Sequence, residues 1–292
     1  TLVGANNYQI KDLSFNTVFI DEAAQALEPA TWIPIIKAQR VIFAGDHNQL
    51  PPTVKSFGAA KNGLEVTLFE KAINRNSADI MLREQYRMHE KIMDFSGGFF
   101  YKNQLFANEK VKNHLIFDDD NPVEFIDIAG TGFNESKNYE TQSTFNKEEA
   151  ELLLKYLKNY LTSIENLEIL RNIDGIAVIS PYKEQIIVLQ EIFEKQIELP
   201  EFLREKISIN TIDSFQGQER DVIFISLVRS NEKNEIGFLS DIRRMNVAMT
   251  RARKKLVIFG DSGTICKNKF YNDFVDYVNE IGSYKSAFEI MY

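Results

Sequence analysis

Short apolar, β-branched runs alternate along the chain with longer stretches in which apolar positions recur every three or four residues. The first pattern fits strands buried on both faces and the second fits amphipathic helices, so their alternation predicts βαβ units around a parallel sheet. Residues 18–20 and 41–44 read as buried strands, and ALEPATWIPIIKAQ between them holds a short helix broken by Pro29 and Pro34. Residues 123–128, 176–180, 207–212, 222–228 and 256–260 read as further strands. Helical spacing covers 146–163, 183–197 and 270–281, the first opening on Asn146 as N-cap with Glu149 three residues on.

At 292 residues the chain is long enough for two domains. A Gly-, Asn- and Lys-bearing stretch over 56–77 separates the first two strands from the rest, which predicts a first domain over 1–75 and a second over 76–292. The polar segment 117–145 reads as an edge excursion of the second domain, with Asp118 to Asp120 as a solvated loop. Trp32 and the phenylalanines read as core, with Phe99, Phe100 and Tyr101 packed inside. His47, His89 and His114 have no metal-ligand spacing, and the first two read as loop hydrogen-bonders.

Net charge −8 and a pI near 5.2 argue weakly against a nucleic-acid partner, although a local basic groove can exist on an acidic body. The single cysteine, Cys266, excludes an internal disulfide or thiolate zinc site and fits a reducing, cytoplasmic setting. No apolar run approaches the ~20 residues needed to cross a bilayer, so no membrane partner is expected. The chain begins at Thr1 inside patterned sequence, as a fragment would.

The chemistry-bearing stretches lie at strand ends. VFIDEAAQ places Asp21 and Glu22 where a first strand stops, and ligands of parallel sheets gather beyond the carboxyl ends of strands. An acid pair there suits magnesium, which takes one or two carboxylates together with phosphate oxygens. By itself such a pair is more often a solvated turn. About 20 residues on, the next strand ends in GDHNQLPPT, residues 45–53; then come LREQYRMHE at 82–90, TIDSFQGQERDVIF at 211–224 and RRMNVAMTRARKKLVIFGD at 243–261.

In order and spacing this set resembles the superfamily-1 helicases, in the group containing the nonsense-decay helicase, senataxin and the immunoglobulin-mu-binding helicase. DEAAQ resembles their motif II, GDHNQLPP motif III, QYRMH motif IV, TIDSFQGQE motif V and NVAMTRAR motif VI, over nearly the whole chain. The resemblance implies an α/β fold of two RecA-like domains with parallel sheets, the first only partial in this chain, that clamp ATP and Mg2+ between them. Asp21 would bind the metal, Glu22 would be the general base, and Gln49 would sense the γ-phosphate. Arg87 and Arg251 would be arginine fingers, each worth roughly 10³ to 10⁵ in rate; Gln85, Gly217 and Glu219 would touch the nucleotide. A single strand of DNA or RNA would meet Pro51, Pro52 and Thr53, the group Ser180, Pro181 and Tyr182, and the hydroxyls of Thr211 and Ser214. Tyr182 either stacks on a base or packs beneath the loop. Movement 5′ to 3′ and a monomeric state are further family expectations.

The resemblance has one large gap. No glycine of this chain is followed by lysine, so the phosphate-cradling G-x-x-x-x-G-K-[ST] loop is absent. Truncation ahead of Thr1 is the simplest expectation, leaving the chain alone inactive toward ATP; a loop-free binding or regulatory module is the alternative. Glu90 also stands where the family usually has proline, and Met249 where leucine is common.

Overall fold

Parallel strands organise both parts of the chain in the computed structural model, which describes residues 1–75, 79–215 and 217–291. Two compact units are present, Thr1–Met81 and Leu82–Tyr292. The boundary expected after residue 75 adjoins residues 76–78, which lie outside the described residues, as does Gln216 of the QGQE turn.

In the first unit β1 (Phe15–Ile20) pairs in parallel with β2 (Ala38–Phe43). The helix Glu28–Ile35 connects them and tolerates both prolines, because Pro29 sits in its first turn, where its missing N–H is not needed, and Pro34 lies next to its end. The strands are not buried as their composition predicts. Ile20 is buried, but Phe19 is 72% exposed and Phe15 and Ile42 are also open. Register pairs Phe19 with Ile42 and Thr17 with Arg40, and Arg40 donates to the Thr17 hydroxyl, so these residues share one bare face of a two-stranded sheet. Trp32, expected in the core, is likewise exposed.

The second unit begins with a small parallel pair, β3 (Glu84–Gln85) and β4 (Phe106–Ala107). Next come β5 (Val123–Asp127), the antiparallel hairpin β6 (Ser136–Lys137) and β7 (Thr144–Phe145), then β8 (Ile176–Ser180), β9 (Ile207–Thr211), β10 (Arg220–Ser226), β11 (Ala252–Gly260) and β12 (Tyr284–Ser286). Six of these form a parallel sheet in the order β12-β5-β11-β10-β8-β9. The alternation of strand side chains supplies two cores. Ile176, Val178, Val222, Phe224, Val257 and Phe259 face the helices Lys147–Ser163 and Lys183–Gln196, whereas Ala177, Ile179, Ile223, Ile225, Leu256 and Ile258 face Glu90–Tyr101, Ile242–Met249 and Lys269–Glu280. Burial on both sides explains why these strands read as unbroken apolar runs.

The predicted α/β class with parallel strands is therefore present, and the five predicted strands of this unit all form. Run 222–228 ends as a strand at Ser226, and Val228 beyond it adopts a left-handed φ of 71°. Asn146 caps its helix by accepting the Glu149 N–H at 3.0 Å, but Glu149 does not return the bond. Its buried carboxyl instead meets the Ser226 hydroxyl and the Val228 N–H. Among the elements that went unpredicted are β12 and the helix Glu90–Tyr101, whose Gly97 and Gly98 disguise a buried face of Ile92, Met93 and Phe95. Phe99 packs against Phe95 and Phe270, in line with the core reading. The loop expected at Asp118 to Asp120 is only partly solvated, since Asp120 is buried against the Lys255 ammonium at 2.7 Å, with Glu124 3.1 Å from the same nitrogen.

Candidate functional site

The acidic pair lies at the carboxyl end of β1, with both residues exposed. Asp21 Oδ1 accepts the Glu22 N–H at 2.9 Å, and Glu22 is held left-handed at φ 51° with its carboxylate accepting from Gln25 Nε2 at 2.8 Å. A non-glycine residue in that conformation costs on the order of 1–3 kcal/mol and persists where its surroundings enforce it. Enforcement comes from backbone pairing: Ala23 N–H donates to the Ala44 carbonyl, and Ala44 N–H donates to Ile20. Gly45 completes the fit, because a Cβ there would lie 3.0 Å from Ala24 N and 3.1 Å from Ala23 N. The DEAA turn and the GDHNQ loop thus meet through close backbone contact that a Cβ at Gly45 would crowd.

In that second loop Asp46 accepts the Asn48 N–H at 2.9 Å and Gln49 Nε2 at 2.8 Å. Gln49 is thereby tethered within its own loop, half-buried. Pro52 is buried, so only Thr53 and part of Pro51 remain of the expected base-contacting wall. His47 is exposed, its ring 6.4 Å from that of Phe69.

Three distant stretches converge at the amino end of the β10 and β11 pair in the second unit. Arg87 Nε donates to Glu219 Oε2 at 2.5 Å and its NH1 to the Thr250 carbonyl at 3.2 Å. Arg253 grips Glu219 Oε1 through Nε and NH2, at 2.9 and 2.6 Å, and reaches Asp174 at 2.8 Å with NH1. The His89 N–H donates to the Arg253 carbonyl at 2.8 Å, docking the QYRMH turn on β11. Burial by itself would raise the Glu219 carboxyl, but the hydrogen bonds and charges of Arg87 and Arg253 outweigh it and hold Glu219 below the ordinary carboxylate range. Glu219 likewise raises Arg253 against the opposing effect of burial. Arg87 and Glu219 keep about a third of their side-chain surface in water, so the pair is worth only about 1 kcal/mol and can be exchanged for a stronger anion.

The other expected positions divide. Gln85 is a brace, not a ligand-facing amide: its Oε1 accepts the N–H groups of Arg87 and Met88, both at 2.8 Å, and its Nε2 donates to the Met88 carbonyl. Arg251 is not displayed as an arginine finger in this unit; it is buried, with Nε donating to the Val247 carbonyl at 3.1 Å at the end of its preceding helix. Gly217 is left-handed at φ 75° and exposed, as a tight turn ahead of Glu219 requires. Arg253 escaped the sequence reading, although it stands only two residues after Arg251, near the start of β11.

At the carboxyl edge of the same sheet, the Thr211 and Ser214 hydroxyls lie 2.8 Å apart, with Ser214 exposed. Ser180 and Tyr182 are corrections: both are buried, and the Ser180 hydroxyl accepts the Tyr182 N–H. Tyr182 packs beneath the loop, its ring 5.5 Å from that of Phe238 and its hydroxyl donating to Ile236. Burial raises that phenol above its ordinary range. Pro181 is half-buried between them.

Among the described residues no group of three or more metal-ligating side chains forms, and no helix is long and apolar enough to cross a membrane. Magnesium needs less than such a cage: an exposed strand-end carboxylate such as Asp21 fits a hydrated hard cation that takes its other ligands from phosphate.

A family model described as AAA domain matches residues 64–263, and a second AAA domain model matches residues 1–57. The chain is 36% identical over 288 residues to the DNA-binding protein SMUBP-2 of Rattus norvegicus, covering 95% of this chain and 28% of that protein. It is 38% identical over 288 residues to an uncharacterized ATP-dependent helicase of Methanocaldococcus jannaschii, covering 93% of this chain and 40% of the relative. Against the DNA polymerase alpha-associated DNA helicase A of Saccharomyces cerevisiae the identity is 36% over 299 residues, with 94% and 42% covered. The chain therefore spans between about a quarter and two-fifths of the length of these curated relatives.

Proposed function

The chain belongs to the AAA domain family, in its superfamily-1 helicase group, and on that footing we propose that it carries the motif II to motif VI part of an ATP-dependent helicase. Such an enzyme couples ATP hydrolysis to translocation along single-stranded nucleic acid and to duplex unwinding, 5′ to 3′ in the family expectation. The observation that carries the reading is the convergence of QYRMH with QGQE and TRAR, which lie more than 100 residues further along the chain, on the Arg87, Glu219 and Arg253 cluster.

Bound magnesium supplies charge neutralisation at the phosphates, and Asp21 is the residue proposed to hold it. Glu22, exposed and fixed left-handed beside Asp21, orients the attacking water and takes its proton. Gln49 reports on the terminal phosphate from its tether on Asp46. Arg87 leaves its exchangeable pair with Glu219 to stabilise developing negative charge, while Arg253 keeps Glu219 in place. Thr211 and Ser214 offer hydroxyls to the backbone of the strand, which carries no base information, so DNA and RNA are both admitted.

The alternative reading is a binding module without turnover. The two separate in one assay. A longer version with a G-x-x-x-x-G-K-[ST] loop ahead of residue 1 should hydrolyse ATP, faster with single-stranded DNA or RNA, and Glu22→Gln should abolish turnover while sparing nucleotide binding. Turnover undiminished in that variant refutes the assignment of the base, and a longer protein with no ATPase activity favours the binding module.

A further inference from the structure

The burial of Ser180 and Tyr182 raises the question of what a strand would meet at that edge instead. One exposed aromatic covers the place and a second stands on the neighbouring hairpin. Phe238 lies over Tyr182 and remains 59% exposed, and Tyr139, at the turn of the β6–β7 hairpin, is 93% exposed.

Both are tied to the Thr211 and Ser214 edge. Ser180 and Thr211 are register partners at the carboxyl ends of β8 and β9. From the turn at Asp213, Arg244 lies 3.8 Å away and spans to Asp241 at 3.4 Å, and the Asp241 N–H donates to the Phe238 carbonyl. On the hairpin side, Asn138 Nδ2 donates to Glu184 at 2.8 Å, at the start of the helix that follows Tyr182. The turn itself is closed by Asn138 Oδ1, which accepts the Glu140 and Thr141 N–H groups, and by Gln142 Nε2, which donates to the Tyr139 carbonyl at 2.8 Å. A turn fastened at both shoulders that presents an open ring has already met the ordering cost a flexible loop would incur on binding.

We infer that Phe238 and Tyr139 are stacking platforms for unpaired bases of a single-stranded nucleic acid whose phosphates meet Thr211 and Ser214. The inference rests on the proposed nucleic-acid reading and extends it from backbone contact to base contact. Stacking suits this chain, because every base presents a π-face and the attraction needs no positive charge, which a body of net charge −8 lacks in excess. A protein partner is the weaker fit. The two rings stand among polar neighbours such as Asn138, Glu140 and Ser240, whereas protein docking favours a contiguous apolar patch.

The test titrates the 292-residue chain into a fluorescein-labelled oligo(dT) and follows anisotropy across a range of salt. Phe238→Ala and Tyr139→Ala should each weaken binding by about fivefold to a hundredfold with an unchanged salt slope, and Tyr139→Phe should restore it. Circular dichroism checks that the fold survives, and Tyr139→Trp gives a second readout, since a stacked base quenches its fluorescence. Binding by the unaltered chain that both alanine variants retain in full overturns the platforms and leaves the nucleic-acid reading standing. No binding by the unaltered chain at low salt sinks that reading and the platforms with it.

Discussion

Glu149 offers the sharpest quantitative test of how this fold is held. Its carboxyl is fully buried, and its partners are neutral donors: the Ser226 hydroxyl at 2.5 Å and the Val228 N–H at 3.1 and 3.2 Å. Burial, the dominant effect, pushes it up to about 8, and the hydrogen bonds offset only part of that rise. The native state therefore keeps a proton that the unfolded chain releases near 4.5. Between those two values the unfolded state binds fewer protons, so stability falls as pH rises, by about 1.4 kcal/mol per unit. Over the 3.5 units from 4.5 to 8 this amounts to roughly 5 kcal/mol at most, a large part of the ~5–15 kcal/mol that holds a typical domain together. Glu149→Gln keeps the shape and cannot ionise. Urea unfolding followed by circular dichroism at several pH values from 5 to 8 should find the two proteins similar at pH 5 and the glutamine variant several kcal/mol more stable at pH 8. Groups common to both cancel in the difference. A difference that stays flat with pH would mean that Glu149 is ionised in the fold, and the reasoning fails.

Two further outcomes follow from buried or capping groups. Lys255→Met removes the ammonium between the buried Asp120 and Glu124 carboxylates and should cost about 3–5 kcal/mol in urea unfolding, a loss below about 1 kcal/mol showing that the charges are not coupled. His89 caps the helix Glu90–Tyr101 by accepting the Lys91 N–H on Nδ1, and burial holds its imidazole below the ordinary range. As pH falls below 6.5 the unfolded state takes up a proton that the cap refuses, so stability should decline with acid, and His89→Asn, a cap that does not titrate, should remove that part of the decline.

The sequence by itself determined the α/β class, the five strands from β5 through β11 that it foresaw, and the helix that Asn146 caps. These follow from local rules: strands buried on both faces read as apolar runs, and an N-cap is a matter of one side chain and an N–H three residues away. It also determined which stretches carry chemistry, because the motif order is a property of the string. Tertiary structure decided which side chains in those stretches are available. Arg251 and Arg253 look equivalent in TRAR, yet one is folded against the helix before it and the other meets Glu219, 34 residues away in sequence. Ser180 and Tyr182 sit in a plausible contact stretch but are buried, Tyr182 beneath Phe238, a residue more than 50 positions downstream. Glu149 has the spacing of a capping box, but its carboxyl goes to β10 and the turn beyond it. In each case the partner is remote along the chain, and exposure depends on which remote group arrives to cover or to pair, a fact that no window of neighbouring residues contains.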